Sequence, residues 1–220
     1  MAVTTMCNAG NKLTIGIIDY ACGNIQSIIN ALELLNYNYK LISTAELLSD
    51  VSIVILPGVG SFDHAVDNLH NSGLSDGILR WIHDDSNYLI GICLGMQLLC
   101  TKSEESHESM NGLNLISATV IDLNNIVKER VSIPHIGWNT VTISENDFIL
   151  KKEYDFYFLH SYAVICDDDA MSIGVTEYGG VNFSSVISNN KNVIGFQFHP
   201  EKSHNNGLKL LNEAIKSAQA

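Results

Sequence analysis

Positive charge is scarce in this chain. Only 12 lysines and arginines stand against 24 aspartates and glutamates in 220 residues, a formal net charge of −12. A nucleic-acid-binding surface needs a basic footprint, so that class of function is excluded; a local basic docking patch is still compatible with the balance. Long hydrophobic runs are missing as well. No apolar stretch approaches the ~18 residues of a membrane span. The opening residues, MAVTTMCNAGNK, have neither the charged start nor the apolar stretch of a secretory leader. Cysteine is present five times, as Cys7, Cys22, Cys93, Cys100 and Cys166. An odd number without C-x-x-C spacing excludes a disulfide framework and a zinc site. No two histidines have metal-ligand spacing, so no metal and no cofactor is expected. A reducing, cytoplasmic setting fits this usage. There is no repeat, low-complexity tract or interdomain linker.

What is present suffices for a sizeable core. Hydrophobic residues make up 46% and charged residues only 16%, a balance that disordered chains do not have. Residues 1–12 are small and polar with no period and read as a flexible lead; residues 13–220 read as one domain. Leu13–Asp19, Val51–Leu56 and Tyr88–Ile92 are continuous apolar runs, each ending near a turn or a helix, and they read as buried strands. Helices are expected from Ile25 to Leu35, from Phe62 to about His70, from Ser75 to His83, from Leu94 to Cys100, and at the end of the chain, where Leu208, Leu211, Ala214 and Ile215 share a face. Buried strands alternating with helices predict a central, mostly parallel sheet flanked by helices. The second half differs. Short strands are expected around 115–123, 139–144, 156–165, 181–188 and 193–198, with a hairpin turn at Asn189-Asn190-Lys191. The fold class is therefore α/β with an additional antiparallel section.

The most informative segment is Gly91-Ile-Cys93-Leu-Gly95-Met-Gln97. A cysteine stands where a buried strand turns sharply into a helix, with glycines two before and two after to relieve the crowding. This is the cysteine form of the nucleophile elbow. A helix start favours the negative charge of a thiolate, the reactive species, and the Leu94 N–H should point toward a bound carbonyl. Inert packing is the ordinary role of a buried cysteine, and it suffices for the other four.

A nucleophilic cysteine needs a base. His199 lies at the end of an apolar strand, in Phe198-His-Pro-Glu201. Residues two apart in extended chain point the same way, so Glu201 can reach the ring and orient it, the third-member role of a triad. His64, His70 and His83 are expected on helix surfaces and His107 and His204 in polar loops. His135 and His160 are expected to shape the site rather than move protons. Pro57-Gly-Val-Gly60 follows a strand at the same edge. Its glycines let a peptide turn its N–H toward a tetrahedral oxyanion.

These motifs, in this order, resemble the class I (triad) glutamine amidotransferases, over roughly residues 13–218. Pro134-His-Ile-Gly-Trp-Asn139 and His199-Pro-Glu-Lys-Ser203 are more specific, and resemble the glutaminase subunits of imidazole glycerol phosphate synthases in histidine biosynthesis. The resemblance implies a triad of Cys93, His199 and Glu201. It implies oxyanion donors at Gly58 and Leu94, and glutamine contacts from Gln97, Glu105, Ser161 and Tyr162. It also implies a face made by Asn24, Trp138, Tyr157 and Lys202 toward a (β/α)8-barrel synthase, which would use the ammonia to make imidazole glycerol phosphate. Three other readings stand beside this one. The same glutaminase could feed a sugar-amidating synthase of surface polysaccharides, or the chain could be a catalytically silent scaffold. A cysteine peptidase is the third, but Gln97 and Glu105 suit a free amino acid better than a long peptide.

Overall fold

A computed structural model describes residues 13–143 and 153–219. The lead expected over residues 1–12, and the last residue of the strand expected over 139–144, lie outside them. In chain order the elements are Thr14–Ile18 (β1), Ile25–Leu34 (α1), Asn38–Ile42 (β2), Ile53–Leu56 (β3), Phe62–Asn71 (α2), Leu74–Trp81 (α3), Tyr88–Ile92 (β4), Leu94–Leu99 (α4) and Cys100–Ser103 (β5). Then come Ile116–Asp122 (β6), Leu123–Ile126 (α5), His135–Ile143 (β7), Glu153–His160 (β8), Tyr162–Cys166 (β9), Ser172–Tyr178 (β10), Val181–Ser188 (β11), Val193–Phe196 (β12) and His204–Ser217 (α6).

The main path of the sheet runs β2-β1-β3-β4-β12-β11-β10-β7-β8. From β2 to β12 neighbouring strands are parallel; from β12 to β8 they are antiparallel. Alternation along the parallel strands sends side chains to two cores, because successive residues face opposite ways. Ile15, Ile17, Ile53, Ile55, Ile90 and Ile92 pack under α1 and α6. Ile18, Val54, Leu56 and Leu89 pack under α2, α3 and α4. Both faces are covered, which is why these strands read as unbroken apolar runs.

The expected hairpin is present. β11 pairs with β12, Asn190 has a positive φ of 58°, and the Asn189 carboxamide oxygen accepts from the N–H groups of Lys191, Asn192 and Val193. Several features differ from expectation. β7 begins at His135, α5 was not expected, and α3 ends at Trp81, so His83 lies in the turn after it. β2 is an edge strand with mostly exposed side chains, so it lacks an apolar run. The single strand expected over 156–165 is two: at Ser161 the chain leaves its partner β7 and joins β6 and β11. β5 and β10 were not foreseen. β10 carries Gly174, Thr176 and Glu177, which dilute its apolar signal. His204 opens α6 rather than lying in a loop.

Candidate active site

The elbow is built by steric necessity. Cys93 has φ 55° and ψ −114°, a conformation an L-residue enters only under constraint. Its N–H donates to the Phe196 carbonyl at 2.7 Å. A Cβ on Gly95 would stand 1.9 Å from the Leu56 carbonyl oxygen, and one on Gly91 would stand 2.8 Å from the Gly95 carbonyl oxygen. Neither clash has a flexible side chain to absorb it, so the strand can turn into α4 only with glycine at both places.

β12 lies beside β4, with Phe196 opposite Ile92. Both strands run the same way and end at the same edge, so Cys93 and His199 are delivered together. The His199 N–H donates to the Tyr157 carbonyl at 2.9 Å, and the Ser203 hydroxyl donates to the His199 carbonyl at 2.7 Å. His199 Nδ1 lies 2.8 Å from Glu201 Oε1, with both side chains 2% exposed. The contact foreseen from the sequence is present, but its cause is different. Pro200–Lys202 is a 3₁₀ turn, and the turn rather than extended chain swings Glu201 back to the ring. Burial alone would push the His199 ring down. The Cys93 thiol and the Glu201 carboxylate beside it overcome that and raise its pKa to about 10.

The cavity next to Cys93 has a volume of about 260 Å³. Cys93, Leu94, Gln97, Glu105, Ser161, Tyr162 and His199 line it, so seven residues singled out in the sequence share one wall system. Glu201 stands behind His199. Gly58 is packed against the backbone of Leu94 and Gly95, while its neighbours Val59 and Gly60 face the cavity. The Tyr20 hydroxyl donates to the Pro57 carbonyl at 2.7 Å and pins the start of this loop. Gln97 is buried, and its amide donates to the Tyr162 carbonyl at 3.1 Å and to Gln197 Oε1 at 3.1 Å. Burial raises the Glu105 carboxyl, Asp63 nearby adds to this, and the Phe62 N–H and His107 oppose it. Pro134, Leu159 and His160 also line the cavity and had no assigned contact with substrate. Leu159 had no local signal; only its pairing places it there.

Beside the cavity lies an apolar patch. Ile136 and Trp138 of β7 stand opposite Leu159 and Tyr157 of β8. Ile136 is 58% and Trp138 48% exposed, and the cavity-lining Val59 and Leu159 are exposed as well. His204 stacks on Trp138, with ring centroids 5.0 Å apart. Asn24 is exposed at the start of α1, and Tyr157 and Lys202 are half-buried. Among the described residues no group of three His, Cys, Asp or Glu could hold a metal ion. No described helix is long and apolar enough to cross a membrane. Cys22, Cys93, Cys100 and Cys166 are free thiols.

Comparison with known proteins agrees with this geometry. Residues 16–217 match the family described as glutamine amidotransferase class-I. The chain is 41% identical to the imidazole glycerol phosphate synthase subunit HisH of Leptospira interrogans, over 90% of this chain and 97% of that one. It is 43% identical to the protein of the same name from Methanopyrus kandleri, over 94% of this chain and 99% of that one. Among solved structures it is similar to a glutamine amidotransferase at a TM-score of 0.70 and 18% identity, covering 94% of this chain and 99% of the other. It is also similar to a chain of PurLQS from Thermotoga maritima at a TM-score of 0.73 and 16% identity, covering 94% and 99%. At such identities those two likenesses concern the fold. The matched family spans nearly the whole described chain and the relatives match it almost end to end: the chain belongs to the class I glutamine amidotransferases.

Proposed function

We propose that this chain is the glutamine-hydrolysing subunit of imidazole glycerol phosphate synthase, acting in the cytoplasm and passing ammonia to a (β/α)8-barrel partner. The juxtaposition of Cys93 and His199 at the ends of adjacent strands, on a cavity sized for a small amino acid, carries this reading. The Cys93 thiolate attacks the side-chain carbonyl carbon of glutamine. The carbonyl electrons move to oxygen, where N–H groups of Leu94 and the Gly58-Val-Gly60 loop stabilise them. The C–N bond then breaks as the His199 imidazolium gives its proton to the leaving nitrogen, releasing ammonia and leaving a thioester on Cys93. His199, now neutral, takes a proton from water, which attacks the thioester and frees glutamate. Glu201 holds the ring in place throughout. Gln97, Glu105, Ser161 and Tyr162 hold the amino-acid end of the substrate.

A diazo-ketone analogue of glutamine tests the nucleophile. Burial raises the thiols of Cys100, Cys166 and Cys22 above the ordinary range, leaving them little thiolate. Peptide mapping should therefore find the label on Cys93. A label found mainly on Cys22 or Cys100 would refute the assignment.

The isolated chain should hydrolyse glutamine poorly, and the ligand-loaded synthase should stimulate it. A partner that grips Asn24, Trp138, Tyr157 and Lys202 can do this only by binding the active state of the Gly58-Val-Gly60 loop more tightly. A stimulation of about 100-fold needs about 2.7 kcal/mol of coupling. The measurement is steady-state glutaminase activity of the chain alone, with the cyclase partner, and with the partner plus its nucleotide. Full activity of the chain alone would remove the switch. Stimulation by a sugar-amidating synthase instead would reassign the acceptor.

A further inference from the structure

Two histidines outside the triad are buried at the cavity: His160 at the end of β8, which lines it, and His135 on β7, directly opposite His160 in the ladder. His160 Nδ1 lies 2.8 Å from the Tyr162 carbonyl. A carbonyl only accepts, so Nδ1 carries the proton. His160 Nε2 lies 3.0 Å from His135 Nδ1. The far end of the chain fixes which of these nitrogens donates. The Asn139 carboxamide oxygen accepts from the Thr140 N–H at 2.8 Å, and its amide nitrogen donates to the Glu177 carbonyl at 2.9 Å, so the group cannot be flipped. That amide nitrogen also lies 3.4 Å from His135 Nε2. Facing a donor, His135 Nε2 must accept. His135 Nδ1 therefore carries the proton and donates to His160 Nε2. One assignment satisfies every contact: both rings neutral, both with the proton on Nδ1.

The surroundings favour that state. His135 is stacked between Phe158 and Tyr178, at centroid distances of 4.8 and 3.9 Å. Burial lowers its pKa to about 4. Burial also lowers His160 to about 3; the Tyr162 carbonyl opposes this, while His135 and His199 would repel a charge there. The relay ends on a carbonyl that Gln97 also holds. Two donors thus clamp the residue just after the bend at Ser161, where the chain changes strand partners and lines the cavity.

We infer that His135 and His160 are positioning residues of the substrate site: a relay of two neutral imidazoles, anchored at Asn139, fixes the Ser161-Tyr162 wall against which the substrate lies. That the substrate is glutamine rests on the function proposed above; the relay itself does not. Imidazole nitrogen NMR of the unaltered chain should find both rings neutral with Nδ1–H from pH 5 to 9. A ring that titrates in that range, or carries its proton on Nε2, overturns the relay. His160→Leu should raise KM for glutamine about 10-fold or more, with a smaller change in kcat. His160→Asn places an amide N–H near the Nδ1 position and should recover most of that loss. A merely structural histidine would lower the unfolding midpoint in both variants and show no advantage for Asn. An unchanged KM in folded His160→Leu, or Asn no better than Leu, overturns the positioning role. Should His160→Leu fail to fold, the ring tautomers and His160→Asn still decide. Absence of glutaminase activity in the unaltered chain with its partner would sink the proposed reaction and leave the tautomer result standing.

Discussion

Cys93→Ala should abolish glutamine-dependent turnover, lowering kcat at least ~10⁴-fold, the scale on which triad nucleophiles fail. The reason is chemical rather than structural. Without the sulfur no thioester forms, and the oxyanion donors and His199 have no adduct to act on. The substitution removes one small buried group, and alanine at φ 55° carries no more backbone strain than cysteine, so folding and partner binding should survive. The paired synthase should then keep its full activity with added ammonium while losing it with glutamine. Glutaminase turnover surviving in Cys93→Ala would place the nucleophile elsewhere and dismantle the central assignment.

The elbow was legible in the sequence because its constraint is local. A strand that turns into a helix within one residue excludes a Cβ at Gly91 and Gly95, and that exclusion is written as glycine two before and two after. The partner of Cys93 was legible for a different reason. Phe198-His-Pro-Glu201 carries its own geometry in a short turn, whichever strand it follows. What could not be read locally is that β12, from the end of the chain, inserts between β4 and β11 and so sets His199 beside Cys93. The motif proposed His199 as the base, and the resemblance supported it, but the strand insertion that joins the two had no local signal.

The same limit explains what was missed. The His135–His160 contact depends on the register of β7 on β8, which two residues 25 apart do not announce. The break at Ser161 was invisible because Phe156 to Ile165 remains mostly apolar or aromatic through the change of partners. The glycines of Pro57-Gly-Val-Gly60 marked a loop whose peptide can turn, and the resemblance named Gly58 in it for the oxyanion. Packing puts that residue against the elbow, and the following Val59 and Gly60 face the cavity. The edge strand β2 escaped because edges bury little, so selection leaves little apolar pattern there.

His199→Ala should cost on the order of 10⁴-fold in kcat/KM, and Glu201→Gln a loss about 100-fold smaller. The imidazole moves the proton in both halves of the reaction, so its removal leaves the amide nitrogen without an acid and the water without a base. The carboxylate only orients the ring and favours its charge. Glutamine at 201 retains an oxygen that can accept from Nδ1–H, so orientation survives in part while the negative charge is lost. The pH profile separates these contributions. The His199 pKa is raised, to about 10, so its protonated form persists below that value and is lost as the pH rises through it. The alkaline limb of kcat/KM should lie there in the unaltered chain. Removing the Glu201 charge takes away one of the two interactions that oppose burial, so the limb should move to lower pH in Glu201→Gln. A larger loss at Glu201 than at His199, or an alkaline limb that does not move, would give Glu201 a role other than orienting and charging the ring.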